Sequence, residues 1–199
     1  MSEPAFPLAG IAGPGRARLV GGEAGVTLAE RQPGSYCEVA LWPPVSGQAG
    51  ARIADLAGVA ELPRLGRLVL GEETTVICLV PGRFHVIASE PGRAGRLEQA
   101  VPPEAGAVVD LSQARGGIRI AGPYAQNVLQ KGLDLDLDPR VFPPLSAAQS
   151  VVDHMPVTVL RLEAELFDLF TYRGFALSLW EWLTEAATEA GWRAAAPVP

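Results

Sequence analysis

The chain has 199 residues, 48% of them hydrophobic and 19% charged, which excludes a disordered chain and fits one domain or two small ones. Its formal net charge is −6 and its pI is near 5.0, with no basic run, so no nucleic-acid partner is expected. The opening MSEPAFPLAG lacks a positive n-region and a long apolar stretch, and runs such as VICLV at 76–80 are far short of a bilayer span. A soluble, cytoplasmic protein without a membrane partner is the expectation. Cys37 and Cys78 lack CxxC spacing and sit in apolar runs, as buried thiols in a reducing compartment do.

Residues 1–25 are rich in Gly and Pro and read as an extended N-terminal arm. GPGRARLVGG at 13–22 has scattered glycines without the G-x-G-x-x-G spacing. VTLAER, a Q-P-G-S turn and YCEVALW predict a hairpin of 26–31 with 36–42, ended by Pro43 and Pro44. Ala49, Ile53, Leu56 and Ala57 predict a helix over 46–57. Strands follow at 67–71, 74–80 and 84–88, then a short helix at 91–100 and strands at 107–112 and 117–122 with R-G-G between them. A helix from Pro123 to Lys131 is expected to stop at Gly132. Strands at 150–153, 156–162 and 165–171 lead into a helix at 174–190.

In that last helix Phe175, Leu179, Trp182, Leu183, Ala186 and Ala190 form one apolar stripe, which leaves Trp180 off it. The order argues an α+β fold of antiparallel sheets with helices packed on one face, in ferredoxin-like units. One compact two-lobed domain over 26–192, with a C-terminal tail at 193–199, is the expected organisation.

The stretch GLDLDLDP at 132–139 places Asp134, Asp136 and Asp138 at every second residue, as a calcium loop begins. The sixth position should then be Gly and is Pro139, and the twelfth should be Glu and is Leu145. An extended connector, with its leucines on a core and its aspartates in water, is the better reading. His85 and His154 have no partner at metal spacing, and each reads as structural. No G-x-S-x-G or phosphate-binding loop exists. Glu163 and Glu165 read as a solvated turn, and Asp110 as a turn cap. A chain of this size without a catalytic constellation is a candidate non-catalytic subunit.

VVDLSQARGGIRIAGPYAQNVLQKGLDLDLDPRVFPP at 108–144 resembles the D-L-S, R-I-x-G-P-x-A-x-x-V-L, D-L and F-P pattern of gamma subunits of heterotetrameric sarcosine oxidase. VVDHMPVTVLRLEAELFDLFTYRGFALSLWEWLTEAATEAGW at 151–192 is similar to their H-x-P-V-x-L and S-L-W-x-W-L ending. Gly174 stands where that pattern often has a helix-capping Ser, and Gln113 where His is frequent.

The resemblance implies a fold akin to the folate-binding part of aminomethyltransferases, and a chain without catalytic, cofactor or metal residues. It implies alpha, beta and delta partner subunits that hold FAD, FMN, NAD, tetrahydrofolate and zinc. The complex would convert sarcosine to glycine, with hydrogen peroxide and 5,10-methylenetetrahydrofolate as products. Trp42, Arg161, Arg173 and Trp180 are the expected interface anchors, because aromatic and arginine side chains anchor burial between chains. A stand-alone folate-binding or aminomethyltransferase-like protein, or an interaction subunit of a related N-methyl amine dehydrogenase, is the alternative. Against the first, the K-G-C-x-x-G-Q-E motif of folate-dependent repair relatives is missing.

Overall fold

The computed structural model describes residues 6–43 and 47–199. The first five residues of the expected arm, Pro44 and the first position of the expected helix at 46 lie outside them. In chain order the strands begin with β1 (Ala17–Arg18) and β2 (Val26–Arg31). Then come β3 (Ser35–Leu41), α1 (Gln48–Ala57), β4 (Arg67–Leu70), β5 (Thr74–Val80), β6 (Arg83–Ala88), α2 (Arg93–Ala100) and β7 (Gly106–Asp110). The last part holds β8 (Arg115–Ala121), α3 (Ala125–Leu129), β9 (Ser146–Val152), β10 (Met155–Glu163), β11 (Leu166–Tyr172), a 3₁₀ turn (Arg173–Phe175), α4 (Ala176–Ala186) and β12 (Trp192–Ala194). The protein is mixed α+β, dominated by largely antiparallel sheet, with few helices.

The chain divides into two compact units, one made of 1–32 with 114–198 and the other of 33–113. In the second, the strand order is β4-β5-β6-β3-β7 and all four pairings are antiparallel. Alternation decides its core. Cys37, Val39 and Leu41 of β3 join Val76 and Cys78 of β5 and Phe84 and Val86 of β6 on one face, packed with Ile53 and Ala57 of α1 and Leu97 of α2.

In the first unit the order is β1-β12-β2-β8-β11-β10-β9. β12 runs parallel to β2, while β2–β8, β8–β11, β11–β10 and β10–β9 are antiparallel. Leu28, Ile118, Ile120, Phe167, Leu169, Val157 and Val159 line one face and share a core with Val128 of α3 and Leu179 and Leu183 of α4.

The expected hairpin of 26–31 with 36–42 does not form. Both segments are strands, but β2 pairs with β8 and β12, and β3 pairs with β6 and β7. The intervening Q-P-G-S is the crossing from one unit to the other. Gly34 is needed there for contact and not for a turn, since a Cβ would lie 2.4 Å from the Ser89 carbonyl oxygen and from the Glu90 carbonyl carbon. The R-G-G expected as a loop is the start of β8.

Residues expected as an arm and a tail are tied down. Leu8 and Ala12 are buried, the Leu8 N–H donates to Glu30 Oε1 at 2.7 Å, and β1 pairs with β12.

The stripe of the last helix is also rotated from its expected position. α4 buries Ala176, Leu179, Trp180 and Leu183, while Phe175 before it is 42% exposed. Leu179 and Leu183 serve either solution, so the neighbours decide. Trp180 meets Trp192 of β12 edge-to-face at 6.3 Å. Trp182 instead lies over Gly132, whose Cβ would come within 2.6 Å of its ring. Gly132 is therefore the seat of a tryptophan. It is not among the glycines of positive φ, so it is not the left-handed helix stop that was expected.

Candidate interface residues and buried polar clusters

Arg161 is fully buried, at 1% exposure. Strand alternation puts it on the core face of β10, opposite Phe167, with its guanidinium 5.1 Å from that ring. Among the described residues no carboxylate pairs with it. Its Nη1 donates to the carbonyls of Leu137 and Phe142 at 2.8 and 2.9 Å, and its Nη2 to the carbonyl of Ala164 at 2.8 Å and to Gln126 Oε1 at 3.2 Å. Burial pulls its pKa down and the Asp138 carboxylate pushes it back up. One side chain thus joins α3, the 132–145 connector and the hairpin after β10. This is a structural keystone, where the sequence reading expected an interface anchor.

The connector behaves as expected of its pattern. Leu133 and Leu137 are buried, while Asp134 and Asp136 face water. Asp138 is engaged by Arg140 through its guanidinium and backbone N–H, which lowers its pKa.

Asp168 is buried in β11, its side chain 2% exposed. Arg119 of β8 grips it from two nitrogens at 2.7 and 2.9 Å, and Arg31 Nε of β2 lies 2.8 Å away. Register makes the group, since Arg119 is directly opposite Asp168. Burial lowers the Arg31 pKa against the pull of Asp168. Hydrogen bonding to Asp168 raises that of Arg119. The sequence reading missed this cluster. Its signal was a charge inside each apolar strand, I-R-I and L-F-D-L-F, on the alternation opposite to the core residues.

His85 is also buried, at 4% exposure, in the 33–113 unit. Its Nδ1 is 2.8 Å from Tyr36 Oη and its Nε2 is 3.6 Å from Glu38, which also binds Arg83 at 3.1 Å. It is a hydrogen-bonded structural histidine, as read. His154 is exposed beside Asp153. Asp110 accepts from the Ser112 N–H at 2.9 Å and caps a turn. Among the described residues, no three His, Cys, Asp or Glu side chains group as metal ligands. Burial pushes the Cys37 thiol up to about 12 and also raises Cys78. Neither is an activated nucleophile.

Two of the expected anchors are accessible. Trp42 is 47% exposed, yet its indole N–H donates to the Pro103 carbonyl at 3.1 Å, which fixes the ring at the end of β3. Arg173 is partly exposed in the 3₁₀ turn, between Tyr172 and Phe175, both exposed. Trp180, read as off the apolar stripe, is 3% exposed in the core. No described helix is long and apolar enough to cross a membrane.

The sheets and the paired-off polar groups define a chain of the aminomethyltransferase-like fold. Glycine cleavage system aminomethyltransferase T from Bartonella henselae superposes with a TM-score of 0.60 at 19% identity, over 81% of this chain and 46% of that one. The sarcosine oxidase gamma subunit family model matches residues 46–189. The chain belongs to that family. The sarcosine oxidase subunit gamma of an Arthrobacter species is 34% identical over 148 residues, 73% of each chain. That of Corynebacterium sp. strain U-96 is 31% identical over 92% of this chain and 89% of its own. A chain of the heterotetrameric sarcosine oxidase from Corynebacterium sp. U-96, solved with pyrrole 2-carboxylate, superposes with a TM-score of 0.79 at 27% identity, over 98% of both chains.

Proposed function

We propose that this chain is the non-catalytic, assembly-forming gamma subunit of a heterotetrameric, flavin-dependent sarcosine oxidase. Its partners are alpha, beta and delta chains, which carry FAD, FMN, NAD, tetrahydrofolate and zinc. The complex demethylates sarcosine to glycine, with hydrogen peroxide and 5,10-methylenetetrahydrofolate as products, in the cytoplasm. The observation that carries this reading is the end-to-end match to a chain of one such oxidase, over 98% of both. The geometry supports the non-catalytic part, because Arg161, Asp168 and His85 are each committed to contacts inside the fold.

Strands β3, β5, β6 and β7 with helices α1 and α2 follow a βαββαβ order and lie as β5-β6-β3-β7, which supports a ferredoxin-like unit. The two units are taken as lobes of one domain with its body at 26–192. Of the four anchors, Trp42 and Arg173 would touch a partner, each from its own unit, while Arg161 and Trp180 lie in the core of theirs.

A tagged pull-down from the native host tests the reading by native mass and flavin absorbance. A yellow complex with three further chains is expected. A colourless lone chain overturns it and favours a folate-binding protein. In the same assay Trp42→Ala is expected to weaken assembly.

A further inference from the structure

We propose that the outer edge of β7 is a strand-addition site, occupied in the assembled oxidase by an extended segment of a partner subunit. The inference rests on the reading of this chain as an assembly subunit.

Hydrogen-bond phase identifies the edge. β3 has two neighbours, β6 and β7, and an antiparallel strand directs alternate residues to each. The Leu41 N–H goes to Gly82 on the β6 side, whereas the Trp42 N–H goes to Ala105 and the Leu111 N–H to Tyr36 on the β7 side. The bonded pairs on that side are therefore Ala40 with Ala107 and Glu38 with Val109. Val108 and Asp110 turn their N–H groups the other way, and Gly106 and Val108 their carbonyls. β7 ends its sheet, and no bond to these groups is found among the described residues. The chemistry that complements such a row is the backbone of another extended strand.

The edge carries little of the usual protection, its one charge being Asp110 at the end of the strand. GAVVD holds no Lys and no Pro, and Val109 is 51% exposed. In the other unit the terminal strand, β1, is two residues long and ends in an exposed Arg18. One terminal strand is blunted and the other is left open.

Trp42 selects the occupant. Its ring is pinned beside the start of β7 through Pro103, and its own N–H bonds Ala105. A partner segment reaching along β7 meets this half-exposed tryptophan at the Gly106 end. Two copies of this chain pairing around Val108 would set their tryptophans at opposite ends of the ribbon. The few bonds of a five-residue strand would then act without a shared anchor.

Hydrogen exchange on the purified wild-type complex tests the edge directly. The Val108 and Asp110 amides are expected to be protected like those of Ala107 and Val109. Rapid exchange at Val108 and Asp110, with Ala107 and Val109 protected, overturns the proposal. Val108→Pro removes only an outward N–H, on the side where an edge strand tolerates proline. It is expected to lower recovery of partner chains at least tenfold in the tagged pull-down, with Val108→Ala unchanged. Wild-type recovery by the proline variant overturns the proposal and leaves the subunit reading standing. A wild-type chain that recovers no flavin complex counts against the subunit reading itself. Native mass showing two copies of this chain joined through β7 also overturns the proposal. If the proline variant fails to accumulate, exchange in the wild-type complex decides.

Discussion

Arg161 and Leu137 are joined by a buried hydrogen bond of 2.8 Å from guanidinium to carbonyl, which holds the middle of the aspartate-rich connector to strand β10. The same side chain serves the carbonyls of Phe142 and Ala164.

Arg161→Met is therefore expected to leave the buried carbonyls of Leu137 and Phe142 unsatisfied, at about 1–3 kcal/mol each before relaxation, and to free that of exposed Ala164 to water. A net loss of about 3–5 kcal/mol follows. Arg161→Lys should restore little, because an ammonium lacks the planar fork that reaches several carbonyls at once. Chemical denaturation of both variants checks the size, and hydrogen exchange should rise first at 133–142.

Asp168→Asn is expected to destabilise the protein by about 3–5 kcal/mol, because Arg31 and Arg119 keep their charges after their common carboxylate is gone. Replacing all three by apolar residues of similar volume should cost much less than the single change. The comparison of the two melting curves checks this.

Trp180→Ala is expected to cost about 3–5 kcal/mol through the cavity left against Trp192. Trp42→Ala should change stability by about 1 kcal/mol or less while weakening assembly, since half its surface is already in water. Melting and native mass measured on both variants separate core from interface.

Ten of the twelve strands were legible, β1 having fallen in the expected arm and β12 at the start of the expected tail, and the strand partners were not. TTVICLV alternates Val76 and Cys78 toward the core and was read at its observed bounds, 74–80. β9 was read from 150 but begins at Ser146, because SAAQ has little strand propensity and only its pairing with β10 extends it. Nothing local in QPGS distinguishes a hairpin from a crossing, since the choice is made by β8 and β6, far away in sequence. The face of α4 was ambiguous for a similar reason: Leu179 and Leu183 fit two stripes, and Trp192 and Gly132 chose between them. Arg161 looked like a surface group because composition alone cannot reveal that carbonyls await it.

Cys37 provides a pH test. Its folded pKa is pushed from an ordinary 9.0 to about 12, so above pH 9.0 the unfolded chain loses a proton that the folded one keeps. Its contribution is complete below pH 9.0 and is lost as pH rises toward about 12. The slope is about 1.4 kcal/mol per pH unit in that window. Cys37→Ala should flatten this part of the stability curve. Native alkylation of Cys37 at neutral pH should be slow and become fast in denaturant.

Gly174 lies in the 3₁₀ turn before α4 at a negative φ, with open space where a Cβ would go. Gly174→Ala is therefore expected to stabilise by about 0.4–1 kcal/mol, by restricting the unfolded chain. A thermal melt checks the sign.

The discontinuous first unit has a consequence for synthesis. Residues 33–113 are contiguous, so their sheet is complete once Asp110 has left the ribosome. β2 is made earlier but must wait for β8 at 115–121, and its other neighbour, β12, arrives only at Trp192. During translation the 33–113 unit can close early, while the N-terminal strand stays unpaired with its apolar face open. A ribosome stalled before β8 is made would thus release a chain with one finished half and one exposed strand, a natural substrate for chaperones.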